Sequence, residues 1–463
     1  MNPEKNTDAV YDVKTLGTGK TLVLGVQHLF AMFGATVLVP ALTGLNVSTT
    51  LLFAGLGTLL FHLITGRKVP AFLGSSFAFL GGYAAIAPML ADAEGNFTVA
   101  NLEMLPYACF GVMIAGLVYL VLAGMFKTFG ANKVMRFFPP IVTGPIIICI
   151  GLSLAGSAIN NCRTNWLIAI VAIAVVVICN IWGKGMVKIV PILLGVVASY
   201  VVALIVDPAA RENVAATVAA AKWFGLPVIW ENTVFSLFDE NLNTGLLLTS
   251  AITIAPIALA TIVEHIGDMC AISSTVGVNY VADPGLHRTL TGDGVATAVA
   301  SLFGAPANTT YGENTGVLAL SKVYDPKVVR LAAFFAIALS FCPKFAALIV
   351  AMPAATMGGV SLVLYGMISA VGVRNVVENQ VDFTKSRNVL IAALIMGLAI
   401  GIKYYDVSGA ITFAVGPVAI SLSGLAVAAV VGITMNAILP GKDYEFGANE
   451  QGDTAVNFGS RND

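Results

Sequence analysis

The sequence predicts an all-α polytopic membrane protein of fourteen transmembrane segments, arranged as two inverted repeats of seven. Three observations carry that reading. Of 463 residues, 57% are hydrophobic and only 11% charged, whereas a soluble protein carries roughly 25% charged residues, so a water-facing surface cannot be built from this composition. Apolar stretches of roughly the 20 residues needed to cross a bilayer recur along the chain. Lys and Arg gather in alternate connections between them.

In the first half the stretches fall at 21–40, 48–66, 70–91, 104–126, 134–158, 164–182 and 187–206. In the second they fall at 246–268, 287–304, 308–321, 327–343, 346–372, 387–403 and 411–438. An even count puts both termini on one side. With that side the cytoplasm, nineteen of the 24 Lys and Arg lie inside, and only Arg163, Arg211, Lys222, Lys344 and Lys403 lie outside. Displacing a single span would invert half of that asymmetry. The first twenty residues carry Glu4, Lys5, Asp8, Asp12, Lys14 and Lys20 without an apolar core, so no cleavable signal peptide is expected. Trp166 and Trp182 stand about 24 Å apart along one helical span, a spacing that suits an aromatic belt at each interface.

The longest polar connection, 207–245, divides the chain into a first repeat (1–206) and a second (246–438), followed by a short polar cytoplasmic tail (439–463) read as disordered. Trp223 and Trp230 place the connection on the outer membrane surface. Seven is odd, so two related halves in tandem must run in opposite directions. Val26-Gln27-His28-Leu29 resembles Val263-Glu264-His265-Ile266, and the same offset carries Gly74-Ser75-Ser76-Phe77 onto Tyr311-Gly312-Glu313-Asn314. Pro140-Ile141-Val142-Thr143 likewise matches Pro353-Ala354-Ala355-Thr356.

Spans 3 and 10 are poor continuous helices. Thr309-Thr310-Tyr311-Gly312 is β-prone and then broken by glycine, so an extended stretch leading into a half-helix is expected in each. Irregular backbone at membrane depth is tolerated only where it lines a cavity, and half-helix N-termini present N–H donors there. A polar pocket is therefore expected between Ser75, Ser76 and Phe77 on one side and Tyr311 to Asn314 on the other.

Four acids sit deep in spans: Glu264, Asp268, Asp293 and Glu313. No Lys or Arg lies at matching depth, and a charged carboxylate there costs at least about 2.5–3.5 kcal/mol, so each is expected to be protonated part of the time or bound to an N–H-bearing group. Glu264 and Asp268 are four apart on one helix face, where coupled titration makes a proton device. Gln27 holds the repeated position in the first half, His28 and His265 flank that position in each half, Phe77 and Tyr311 offer rings to stack on a flat substrate, and His62 and His287 read as packing histidines. The six cysteines are scattered without ligand spacing, so neither a metal nor a cofactor is expected. A net charge of -1 gives no basic face for nucleic acid. An aspartyl intramembrane protease is disfavoured because Tyr324-Asp325 follows Gly292-Asp293, and Leu290 breaks the glycine pattern. A passive channel would not need titrating acids at a closed pocket. The chain reads as a coupled carrier and not as an enzyme.

Several motifs are long enough to be specific: Gln27-His28-Leu29-Phe30-Ala31-Met32-Phe33-Gly34, Leu73-Gly74-Ser75-Ser76-Phe77-Ala78-Phe79, Glu264-His265-Ile266-Gly267, Asp283-Pro284-Gly285-Leu286-His287-Arg288 and Asn308-Thr309-Thr310-Tyr311-Gly312-Glu313-Asn314. From about residue 20 to 438 the chain resembles the nucleobase-ascorbate transporter family. Within it, the Tyr-Gly-Glu-Asn form is similar to that of bacterial uracil carriers, while purine carriers usually have Gln at the position of Glu313. The resemblance implies a core domain (spans 1–4 and 8–11) and a gate domain (spans 5–7 and 12–14) in the cytoplasmic membrane. It implies that Glu264 and Glu313 hold the pyrimidine, that backbone at Phe77 and Gly312 contacts its amides, and that Tyr365 faces the site from the gate. Uracil and a proton are the implied cargo, carried by symport, with membrane lipid as surroundings and a homodimer as a compatible assembly. Asp268 stands where uracil carriers have His, and Asp293 where some have Asn. Both changes lean toward a xanthine- or urate-type purine carrier, which is the alternative reading.

Overall fold

The computed structural model describes residues 9–91, 97–238, 242–405, 410–415 and 418–441. Most of the expected tail, from 442 onward, lies outside them. The chain is predominantly helical. The first half contains α1 (Thr18–Thr43), α2 (Val47–Ile64), strand β1 (Leu73–Ser75), a tight turn at Phe77–Phe79, α3 (Leu80–Ile86) and the small pair β2 (Leu90–Ala91) and β3 (Phe97–Val99). There follow α4 (Leu105–Phe129), α5 (Ala131–Met135), α6 (Pro140–Arg163), α7 (Trp166–Trp182), α8 (Met186–Ile189), α9 (Pro191–Val206) and α10 (Pro208–Ala220). The second half contains α11 (Thr244–Ile254), α12 (Ile257–Val276), α13 (Leu286–Leu302), β4 (Asn308–Thr310), α14 (Gly312–Ser321), α15 (Pro326–Ser340) and α16 (Pro343–Val350). It closes with α17 (Ala354–Glu378), α18 (Ser386–Tyr405), the hairpin β5 (Ala410–Val415) and β6 (Val418–Ser423), and α19 (Gly424–Ile438).

Local chemistry sets many of these boundaries. Asn46 caps α2 by accepting from the Thr49 N–H, and Asn165 caps α7 through Leu167 and Ile168. Gly44, in the left-handed region at φ 80°, ends α1 with its N–H on the Pro40 carbonyl, a conformation that glycine adopts without a Cβ clash. Proline opens α6, α9, α10, α15 and α16 in the first turn, where its missing N–H is not needed.

Several boundaries differ from the sequence expectation. The eighth segment runs from Thr244 to Val276, interrupted at Ala255-Pro256, because the polar residues after Glu264 lower its hydropathy without ending the helix. The expected 346–372 span is broken by Pro353, so α16 is separate and bent 85° from α15. Residues 410–415 and 418–423, expected to be helical, pair as two antiparallel strands, in keeping with their β-branched residues. Among the described residues, seven helices are long and apolar enough to cross a membrane, nine if each of two bent pairs makes one span, and three more apolar helices are shorter. Trp166 and Trp182, at opposite ends of α7, are 47% and 69% exposed, as an aromatic belt requires.

The helices pack as two groups. In one, α15 lies against α1 and α2, α13 against α2 and α4, and α12 against α14. In the other, α6 runs along α17 and contacts α18 and α19, while α7 packs on α9 and α17. The groups meet where α1 touches α9, α12 touches α6 and α19, and β6 follows α11. The chain crosses between groups at α5, α10 and α16. α10 turns 111° from α9 and packs on α16, and Lys344 joins them, donating to the Val218 carbonyl at 2.7 Å beneath the exposed Trp223 ring. Small residues permit the closest crossings: a Cβ at Gly116 would stand 2.7 Å from Ala298 N and 2.8 Å from the Gly294 carbonyl.

Gly116→Val should therefore force α4 from α13. Overpacking of this kind costs about 1–3 kcal/mol, and a melting temperature in detergent several degrees below the parent protein is expected. An unchanged melt would contradict the crossing.

Candidate functional site

Inside the first group, β1 and β4 form an antiparallel ribbon, with Leu73 opposite Thr310, Gly74 opposite Thr309 and Ser75 opposite Asn308. The Tyr311 N–H donates to the Phe72 carbonyl at 2.9 Å and the Ser76 N–H to the Ala307 carbonyl at 3.0 Å. Antiparallel pairs alternate between exchanging bonds and directing them outward. With 72–311 and 76–307 bonded, the 73–310 and 75–308 pairs point away from the ribbon. All six strand residues are buried, so their outward groups need protein partners. Neighbouring side chains supply them. Thr58 of α2 accepts from the Leu73 N–H at 2.9 Å and lies 3.2 Å from its carbonyl. Thr297 of α13 accepts from the Asn308 N–H at 3.2 Å and donates to its carbonyl at 2.9 Å. Asp293 accepts from the Thr310 N–H at 3.1 Å, and the Tyr311 hydroxyl donates to the Ser75 carbonyl at 2.7 Å.

The ribbon delivers two short helices. The turn at Phe77 leads into α3, and Gly312 opens α14; the residue preceding each start makes no side-chain cap. α12 lies against both. Along it Glu264, Gly267, Ala271 and Ser274 are exposed and Asp268 is half-exposed, at the spacing of one helical face. Ile262, His265, Ile266, Met269 and Ile272 are buried behind. A stripe with two carboxylates in mid-span is too costly to face lipid, which makes it the candidate lining of a polar cleft. Asp268 bounds that cleft near α14, since a Cβ at Gly312 would stand 3.1 Å from its Oδ1. A carboxylate beside an open helix N-terminus is favoured by the helix dipole.

Behind the stripe, His265 Nδ1 lies 2.9 Å from Asp293 Oδ2 and 3.1 Å from Thr310 Oγ1, and the Thr310 hydroxyl donates to Asp293 Oδ1 at 2.9 Å. Asp293 is fully buried, and these donors meet its carboxylate. The Nε2 atom of His265 has no partner among the described residues. On the other flank the Asn314 amide donates to the His28 carbonyl at 3.0 Å and reaches its Nδ1 at 3.1 Å, tying α14 to α1.

The residues singled out from sequence thus occupy distinct positions. Glu264 and Asp268 share the exposed stripe, with Gly312 close to Asp268. The backbone of Glu313 lies in α14, and its side chain is outside the described set. Phe77 and Gln27 are half-buried. Ser76 is buried on the ribbon, and Tyr311 is 5% exposed with its ring across Gly74, where it holds the strand. Tyr365 is buried on α17 in the other group, its carbonyl against Gly151 of α6. His62 bonds the Ala71 carbonyl at 2.8 Å, as a packing histidine does. Sequence reasoning missed Thr58, Thr297 and Thr310. The available signal was a hydroxyl on a span adjoining each extended stretch, where backbone would need a partner. Among the described residues, no group of three His, Cys, Asp or Glu could hold a metal.

Comparisons with known proteins agree with this architecture. A family model described as the permease family matches residues 19–408. A uracil permease of Bacillus caldolyticus is 40% identical over 443 residues, covering 94% of this chain and 95% of that protein. Uracil permeases of Bacillus subtilis strain 168 (36% identical, 97% and 99% covered) and Escherichia coli K12 (37% identical, 90% and 91% covered) are also similar. Among solved structures, SLC26A9 superposes with a TM-score of 0.61 at 12% identity, covering 92% of this chain and 66% of its own. The transmembrane domain of the cyanobacterial bicarbonate transporter BicA superposes with a TM-score of 0.52 at 15% identity, covering 93% and 99%. At these identities the likeness is one of fold.

Thr58→Val or Thr297→Val would each strand two buried backbone groups, at about 1–3 kcal/mol per site. Each should lower the melting temperature by several degrees while the matching serine variant stays near the parent. Equal melts for Val and Ser would show that the hydroxyls do not hold the ribbon.

Proposed function

Because the chain belongs to the permease family, and is a multi-pass membrane transporter and not an enzyme, we propose that it imports uracil across the cytoplasmic membrane by proton symport. The observation that carries this reading is the stripe of exposed Glu264 and half-exposed Asp268 beside the start of α14, on a helix otherwise buried inside a membrane protein. Uracil is a flat, neutral ring with two N–H donors and two carbonyl acceptors. Glu264 and Glu313 accept its N–H groups, and backbone N–H groups at Phe77 and Gly312 meet its carbonyls. A site built on such bonds rejects analogues that lack them, because its own buried partners would be left unpaired. The 36–40% identity to proteins named uracil permeases supports the same substrate.

The first packing group is the core domain and the second the gate domain, with Tyr365 contributing from the gate. Fourteen passages in two inverted repeats accord with the ribbon. β1 and β4 occupy equivalent places in the halves and pair antiparallel, as elements related by an axis in the membrane plane must, and Thr58 and Thr297 clamp the first residue of each. Both termini then face the cytoplasm. Proton coupling belongs to Glu264 and Asp268, one turn apart, with Asp293 and its His265 partner behind them. Asp268, where uracil carriers have His, and Asp293, where some have Asn, are the residues that support the purine alternative.

Glu313→Gln should reduce uracil uptake at least tenfold while the protein still inserts, since an amide presents a donor where the ring needs an acceptor. Uptake should persist without sodium, collapse with a protonophore, and be competed by uracil far better than by xanthine; the reverse competition would make the chain a purine carrier. Glu264→Gln should abolish accumulation driven by a pH step. Accumulation that survives this change would place the proton elsewhere.

A further inference from the structure

The segment before α1 lies across the ends of α12, α14 and α15. Val10 bridges Val323: its N–H donates to the Lys322 carbonyl at 2.9 Å, and its carbonyl accepts from the Tyr324 N–H at 2.8 Å. The Tyr11 hydroxyl donates at 2.8 Å to the carbonyl of Val276, the last residue of α12, while its ring meets Tyr324 edge-on at 5.4 Å. The Val13 N–H donates to Asp325 Oδ2 at 3.0 Å, and Lys327 Nζ lies 3.2 Å from both Asp12 and Asp325. Val13, Val323 and Val328 make a small separate apolar cluster with Val10, Leu16 and Leu24. The Lys14 N–H and then Lys327 hold the Asp12 carboxyl below the usual carboxylate range, so the latch is charged at neutral pH.

All these partners belong to one packing group. Every contact falls on α12, on the link between α14 and α15, or on α15 itself, and the chain continues directly into α1. The segment therefore joins the ends of α12 and α14 to the start of α1 and α15. α14 has ten residues, about 15 Å of helix; it is held at its start by the ribbon, and Lys322 beyond its end is left-handed at φ 54°. A helix this short pivots about its fixed end unless the other end is held.

We propose that residues 10–13 are a positioning element of the transport site: a clip that fixes the far ends of α12 and α14 relative to each other, and so sets the spacing between the Glu264–Asp268 stripe and Gly312. This rests on the preceding reading that the site lies between those helices. Because the clip spans one group alone, it stays closed through any movement of one group against the other.

The test uses full-length protein in lipid nanodiscs and proteoliposomes. Tyr11→Phe removes one hydrogen bond, about 1 kcal/mol, and should weaken uracil binding about fivefold. Removing residues 1–16 should weaken it further and broaden the distance distribution between spin labels at Ser274 and Ser321. A disulfide formed by Val10→Cys with Val323→Cys should leave uptake at the level of the reduced protein. Uptake blocked by that disulfide and restored by reductant would overturn the proposal, since the clip would then open in each cycle. Unchanged affinity in Tyr11→Phe, together with an unchanged label distance after truncation, would overturn it as well. If the parent protein bound no uracil, the substrate reading would fail, and the label distance would still judge the clip.

Discussion

A backbone without water dictates much of this structure. Two three-residue strands sit buried within a membrane protein, and a ribbon of two strands satisfies only half of its own hydrogen-bonding groups. The remainder must be met by side chains reaching in from neighbouring helices, because an orphaned N–H or C=O in such surroundings costs several kcal/mol. Thr58, Thr297, Asp293 and the Tyr311 hydroxyl meet this demand. They come from three places in the chain, Thr297 and Asp293 both lying on α13, so the ribbon fixes α2, α13 and the start of α14 relative to one another. The polar interior here is a consequence of breaking two spans, and the breaks in turn place two helix starts beside α12.

The division of labour along α12 follows from the same demand. His265 and Glu264 are neighbours in sequence, yet one faces inward to Asp293 and the other faces the cleft, because consecutive helical residues point about 100° apart. The inward residue joins the frame through Asp293, and the outward one lies on the exposed face of the helix. Asp293 belongs to both systems: it accepts the Thr310 N–H that holds the strand and the imidazole that stands behind the cleft.

How much of this was legible in the sequence depended on the kind of signal. The broken spans were readable because Thr309-Thr310-Tyr311-Gly312 is both β-prone and glycine-broken, and the deep acids were readable because no Lys or Arg lies at matching depth in the sequence. The stripe of Glu264 and Asp268 followed from their spacing of four. Tyr311 looked like a stacking surface, and its structural use depends on Gly74, a partner far away in sequence. Thr58 and Thr297 were illegible for a related reason: threonine in an apolar helix is common, and only the position of a distant strand gives it a task. The strand pair at 410–415 and 418–423 was missed because an apolar stretch of strand cannot be told from an apolar stretch of helix by hydropathy alone.

The crossings between the two groups carry a mechanical consequence. The chain passes between them three times, and two of those passages, α10 and α16, are fastened together through Lys344, which also bonds the Lys222 carbonyl through its own N–H, and through the stacked rings of Phe224 and Phe341. Three independent tethers would allow one body to slide, tilt and twist against the other. Two tethers welded into a collar remove some of those degrees of freedom and leave α5 as the separate strap. Joined in this way, α10 and α16 brace the two groups along one shared edge, where a single passage would hold them at one point.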